Sequence, residues 1–327
     1  MSLTVTTGAA LAAPLTLWLA ASLPARRGSA PIGGQGRPWG PTMARAGSAA
    51  AWMAFAFALV ALFSHAFGPA QSLTLLSIPL GPAGAFALGV YVDDVTVIML
   101  ALVSLVGAVV STYARNYIAG EAREAYFHKW LMMTLASILT LLVASNLLMF
   151  SLAWMATSLC LHRLLVFYPE RPTAVMAAHK KFVFSRIGDG SLLIASLLIG
   201  FTLHTMDFAE IFSVMSAMEG PLPATLQAAA WLIVLAAVLK CAQFPFHGWI
   251  IQVMEAPTPV SALLHAGIVN AGAFLIIRMS PIMSLSGPAL DALAIVGLVT
   301  LAVASLVMLT QTSIKVSLAW STSAQMG

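Results

Sequence analysis

Runs of about 20 apolar residues recur along this chain between short polar breaks, and that repetition leaves few architectures open. In hydrocarbon the backbone has no water to bond, so a lone segment of this length spans only as a helix. The runs fall at residues 4–24, 47–68, 91–113, 128–145, 147–168, 177–204, 225–254, 257–279 and 288–311, and another begins near 313. Composition agrees: 60% of residues are hydrophobic and 8% are charged, against about 25% charged in soluble domains. The expected fold is all-α, a polytopic transmembrane helix bundle in a lipid bilayer, and nothing points to nucleic acid as a partner. The first run lacks a basic leader, so it is expected to be a true span and not a cleaved signal. Cys160 and Cys241 lie in apolar runs and read as small buried residues rather than a disulfide. Residues 69–90 are rich in Pro, Gly, Ser and β-branched residues and predict an ordered extramembrane loop of hairpin type. Residues 206–220 predict a short amphipathic helix at the surface.

Basic residues orient the bundle. Arg26, Arg27, Arg37 and Arg45 lie in the first loop, Arg115, Arg123 and Lys129 in or beside the third, Arg163 and Arg171 flank the fifth, and Lys315 opens the tenth span. Loop 69–90 has no Lys or Arg, and 205–224 carries only Asp207, Glu210 and Glu219. The positive-inside rule then puts the odd loops in the cytoplasm and the N-terminus on the periplasmic side of a bacterial inner membrane. Arg278 alone falls on the wrong side.

Charges inside spans are few. Lys240 sits in the apolar run 232–247. An ammonium deep in a bilayer costs at least about 3 kcal/mol on insertion scales, so it needs a partner, a water path or a task. Pro245, five residues on, removes a backbone donor and predicts a break in the seventh helix beside it. A mid-membrane lysine at a broken helix is the usual build of an ion-translocation site; the plainer alternative is a lysine that snorkels to the interface. His265 lies inside the eighth span, whose start Pro257 and Pro259 fix. It suits a proton relay or a satisfied buried polar group. Helix rise puts it at a depth comparable with Lys240 on an antiparallel neighbour, so the two side chains could meet directly or through water.

The sixth span opens with His179, Lys180 and Lys181, either a positive anchor or a cluster facing something negative or hydrated. Arg186 and Asp189 follow on one helix face, as an internal ion pair or as functional groups. Asp93 and Asp94 read as caps of the third span, and His65 and His204, near span ends, as interfacial residues.

The stretches Lys240-Cys-Ala-Gln-Phe-Pro-Phe-His-Gly-Trp and Met254-Glu-Ala-Pro-Thr-Pro-Val-Ser-Ala-Leu-Leu-His265 carry a resemblance. They look like the signature of the antiporter-like membrane subunits, the large proton-pumping subunits of respiratory complex I and their relatives in multisubunit cation/proton antiporters. Tyr113-Ala-Arg-Asn-Tyr, the stretch from Lys180 to Asp189, and the stretch from Ile314 to Gly327 extend the likeness over roughly residues 90–327. It implies two parts: residues 1–90 as N-terminal helices with an extramembrane loop, and 91–327 as the ion-translocating domain, corresponding to the first inverted repeat. By that resemblance Lys240 is the central proton-carrying lysine of the broken helix, His265 the relay histidine of the eighth, and Lys180 and Asp189 polar members of the sixth. Family members run several helices further, so the chain is expected to be truncated at its C-terminal end.

One departure is informative. Respiratory members carry a glutamate after a tryptophan on the fifth helix, paired with the central lysine; here Met155 follows Trp154. His162, seven residues on and about 20° off the same helix face, can lie on the path, and Asp189 becomes the candidate counter-ion. The pattern Trp-x-x-Thr-Ser-Leu-x-Leu-His, followed by Ala-His-Lys-Lys-Phe, resembles the DabB branch, the membrane subunits of inorganic-carbon accumulating complexes. That resemblance implies a DabA-like partner related to zinc β-carbonic anhydrases, with zinc in the partner and no cofactor or catalysis in this chain. Ion flow would drive hydration of CO2 to bicarbonate there, with the driving ion, proton or sodium, left open. The alternatives are a subunit of a respiratory NADH dehydrogenase or cation/proton antiporter, or a non-conducting scaffold.

Overall fold

The computed structural model describes residues 4–23, 39–66, 68–253 and 256–327. Arg26, Arg27 and Arg37 of the orientation argument, and Met254 and Glu255 of the signature, lie outside the described residues. The first helix, α1 (Val5–Ser22), starts at a capping box in which Thr4 accepts from Thr7 N and Thr7 answers. It packs on α2 (Trp39–His65) through fully buried alanines, Ala10 and Ala13 against Ala51, Ala54 and Ala58, because small side chains let helix backbones approach closely.

The loop of residues 69–90 is the hairpin that its composition predicts. Strand β1 (Gln71–Pro79) pairs antiparallel with β2 (Ala85–Val92), with a bulge between Thr74 and Leu76. Gly84 closes the turn at φ +91, and a Cβ there would stand 2.8 Å from Thr205 Cα, so the position admits only glycine. The hairpin ties one end of the bundle together. Thr4 bonds Gln71, Asn146 Nδ2 donates to Ala85 O, and the His204 ring bonds Pro82 O.

Helix α3 (Asp94–Tyr117) is capped by Asp93, which accepts from Thr96 N. Then follow α4 (Glu124–Val143), α5 (Leu147–Leu165) with Asn146 as its cap, and the long α6 (Pro172–Leu203). The surface helix predicted at 206–220 is α7 (Phe208–Ser216), capped by Asp207. Helix α8 (Ala224–Lys240) ends in mid-span, and after the break come α9 (Gly248–Gln252) and α10 (Thr258–Leu263). A π-turn, Leu264–Ile268, leads into α11 (Asn270–Arg278). The chain continues as α12 (Ser280–Met283), α13 (Gly287–Met308) and α14 (Ile314–Met326).

Seven of the described helices, α1 to α6 and α13, are long and apolar enough to cross a membrane. The seventh and eighth apolar runs are assembled from pieces instead, α8 with α9, and α10 with the π-turn and α11. Span α4 is central and mostly buried, whereas α13 is at the edge and mostly exposed. The outward apolar side chains, such as Phe63, Ile194 and Leu298, are what lipid replaces water against.

Two local expectations need correction. His65 is buried, not interfacial, because its Nε2 pairs with Asp94 Oδ1 at 3.0 Å. The break in the seventh span begins at Lys240 itself, not at Pro245: Ala242 turns into the left-handed region at φ +51, and Pro245, on a cis peptide bond, lies within the turn that follows. The freed backbone groups find partners across the bundle. Thr300 Oγ1 of α13 accepts from Phe244 N at 2.9 Å, and Ser323 of α14 donates to Ala242 O at 3.4 Å.

Candidate functional site

Lys240 is the last residue of α8, where a cation meets the negative end of the helix dipole. It is 6% exposed, so it does not snorkel. Its Nζ donates to Ser158 Oγ at 2.9 Å, Thr157 Oγ1 at 3.1 Å and Trp154 O at 3.4 Å, and stands 4.3 Å from the centroid of the Trp154 ring. These three residues of α5 share one face through i, i+3, i+4 spacing. Their holding of Lys240 was missed in the sequence, although a Thr-Ser pair one turn after a tryptophan in an apolar helix was its signal. Thr157 in turn donates to Trp154 O at 2.7 Å, which orients its oxygen lone pairs toward the lysine. Close to the break α11 comes very near α8: a Cβ on Gly272 would stand 2.5 Å from Cys241 Sγ and 2.9 Å from Ala237 O.

A second lysine reaches the same α5 residue. Lys181 of α6 is 1% exposed, and its Nζ donates to Ser158 O at 3.3 Å. Lys180 is exposed and, with His179, borders an open cleft against Pro245, Phe246 and Trp249. Of the two adjacent lysines, the buried one follows the spacing of the small and apolar buried positions of α6, Ala174, Ala178, Gly188 and Leu192. That periodicity was available in the sequence.

Asp189 is buried, but its carboxylate pairs with Arg186 one turn away, an ion pair without hydrogen-bond geometry. It acts on Lys240 and Lys181 through space rather than by contact. His162 of α5 stacks against α6, 4.9 Å from the Phe182 ring and 5.8 Å from the His179 ring. His265 sits in the π-turn with its Nδ1 buried and without a hydrogen bond. No direct ion pair or hydrogen bond joins it to Lys240 among the described residues, and the break and the π-turn both depart from the simple helix rise on which the equal-depth estimate stood. Pro257 caps α10 and Pro259 lies in its first turn, as expected. Among the described residues no three His, Cys, Asp or Glu side chains are grouped to hold a metal ion.

Residues 144–327, which contain every one of these groups, match the family model described as NADH:quinone oxidoreductase/Mrp antiporter, transmembrane. This chain belongs to that antiporter-like family. Residues 82–128 match a second model, the N-terminal part of complex I chain 5. The member is 49% identical over 276 residues to the probable inorganic carbon transporter subunit DabB2 of Halothiobacillus neapolitanus, covering 84% of this chain and 50% of that one. It is 47% identical over 237 residues to the DabB subunit of Hydrogenovibrio crunogenus, covering 72% and 46%. NADH-quinone oxidoreductase subunit L of Mycobacterium tuberculosis is 36% identical over 249 residues, covering 75% and 39%. Among solved structures, a chain of the Mrp complex from Dietzia sp. DQ12-45-1b superposes with a TM-score of 0.78 at 28% identity, over 96% of this chain and 33% of that one. The chain spans about half the length of the DabB relatives it matches. In this antiporter-like membrane subunit the lysine at the broken helix is held by hydroxyls, a carbonyl and an indole ring.

Proposed function

We propose that this chain is the ion-translocating subunit of an inorganic-carbon accumulating complex in a bacterial inner membrane, its N-terminus on the periplasmic side. A proton or sodium gradient discharged through it drives hydration of CO2 to bicarbonate in a DabA-like partner, which carries zinc. One observation supports the translocating role above the rest: an ammonium is buried at a helix break, where among the described residues only neutral groups touch it. A permanently paired lysine would be structural; one on hydroxyls and an indole ring keeps a proton that can leave. The likeness to DabB subunits supports the carbon-accumulating context. Met155, standing where respiratory members carry the paired glutamate, favours it over a redox-driven pump. His265, in its π-turn, is the proposed next proton acceptor, reached through an intervening carrier.

The test is Lys240→Ala in the complete complex. It should abolish rescue of growth that depends on inorganic carbon, while membrane yield and co-purification of the zinc partner stay normal. Full rescue at normal yield would remove Lys240 from the ion path. Purification without a zinc protein would remove the carbon assignment and leave the translocating role standing.

A further inference from the structure

We propose that Lys181 and Lys240 form one proton-holding pair, with a single exchangeable proton between them. This rests on the translocating role of Lys240 and adds a second carrier to it. Both side chains are buried, at 1% and 6% exposure, and they arrive from different helices. Both donate to one residue, Ser158, one to its carbonyl and the other to its hydroxyl. Two ammonium groups gathered on one buried residue repel each other, and doubly charged sites of this kind lose a proton. Few other titratable or charged groups act on the pair. From α6 come Arg186 and Asp189, already joined to each other, from α5 the half-buried His162, and from the break Cys241. Among the described residues the only acidic side chain acting on the pair is Asp189, which is itself joined to Arg186.

The transfer itself is balanced. One N–H bond breaks on the ammonium of one lysine, one N–H bond forms on the lone pair of the other, and the charge of the pair stays at one. Ser158 Oγ accepts from Lys240 and has an O–H of its own to donate, so it can serve as the bridging group. His162, against the exposed His179, lies on the side from which a proton reaches Lys181.

Arginine and histidine at position 181 separate this role from a structural one. Arginine keeps the positive charge and the hydrogen bonds but does not release a proton; histidine keeps an exchangeable proton and loses length. In the complete complex, reconstituted in vesicles with an imposed proton gradient, Lys181→Arg should lower proton flux at least tenfold, and Lys181→Met likewise. Lys181→His should retain flux within about threefold and shift its pH profile. The reverse order, arginine active and histidine dead, would make Lys181 a structural cation and overturn the proposal. So would equal activity, or equal loss, in all three variants at normal assembly. Should the variants fail to assemble, 15N spectra of the lysine Nζ groups in the unsubstituted complex decide the matter. A neutral amine beside the ammonium signals at neutral pH supports the pair, and its absence overturns it. Lys240→Ala distinguishes the two readings: full flux there sinks the translocating role, whereas failure at Lys181 alone leaves it intact.

Discussion

Two buried clusters of charge lie at different depths of this bundle, and they are built on opposite plans. Near the hairpin end, Arg278 Nη1 donates to Asp93 Oδ2 at 2.7 Å and Nη2 to Thr96 Oγ1 at 2.6 Å. Its guanidinium also lies 5.2 Å from the ring centroid of Tyr91, 5.7 Å from Phe208 and 5.1 Å from Phe274. Asp93 accepts from Thr96 N at 2.8 Å as the cap of α3. Arg278 and Asp93 there are fixed opposite charges, and the fork geometry of arginine locks the pair. In the middle of the bundle the plan inverts: Lys181, Lys240 and Arg186 face the single carboxylate of Asp189, and neither lysine touches it. A saturated cluster fixes helices; an unsaturated one stores charge that can move.

The largest effect should come from breaking the saturated cluster. Arg278→Met leaves Asp93 partly buried without its partner, a loss of about 3–5 kcal/mol. Thermal melting of the purified complex should show a marked fall in Tm together with reduced membrane yield. Unchanged melting would mean that Asp93 and Arg278 are not the lock their geometry describes.

The next test converts the unsaturated cluster toward the other plan. Met155 lies on the side of α5 from which His162 meets α6, since seven residues return within about 20° on a helix. Met155→Glu adds a carboxylate there, and an ion pair at 4 Å is worth about 4 kcal/mol at an effective dielectric of 20. Proton flux should fall about tenfold with stability kept or raised. Increased flux would show that these lysines work better with a fixed counter-ion.

A third measurement asks how far the mobile region extends. His265→Gln keeps hydrogen bonding but carries no proton. Uptake driven by an imposed proton gradient should fall several-fold, and uptake driven by sodium should stay near normal if sodium is used. Full activity under both gradients would take His265 off the path.

The smallest effect concerns acid. Asp93 lies just outside the third span. Burial pushes its carboxyl up, but Arg278 and the Thr96 hydrogen bonds outweigh that and hold it below the ordinary value of 3.8. A lowered carboxylate contributes stability above its unfolded-state value and loses it as pH falls through the folded one. The melting difference between the native chain and Asp93→Asn should therefore be constant from neutral pH to about pH 5 and shrink below about pH 4. A difference independent of pH would leave the charge of Asp93 without a role.

The contrast between the clusters also marks what was legible in the residues. The spans, the hairpin and the surface helix follow from local apolar length and turn chemistry, and the structure has them. Lys240 stood out because a single charge in an apolar run is visible locally. Arg278 looked misplaced because its partner Asp93 is 185 residues away, and loop-by-loop charge counts contain no cross-bundle pairing. Asp94 read as a cap, yet its partner is His65 on the preceding span, for the same reason. Lys180 drew notice over Lys181 because a family pattern is aligned by position, whereas burial is decided by helix phase, and adjacent residues differ by about 100°. The depth estimate for Lys240 and His265 assumed straight helices, and both are interrupted where the estimate needed them regular.

The backbone of the break is not free. Phe244 N is held by Thr300, His247 lies 4.9 Å from the Trp320 ring, and Ser323 holds Ala242 O. Thr300 is buried on α13, whose far face carries Ile295 and Leu298 at 64% and 66% exposure. Mechanically this is a lever arm with its handle outside. A displacement of α13 would reach, through one threonine, the amide four residues beyond Lys240. A neighbour seated on that face would stand one helix and one threonine away from the break.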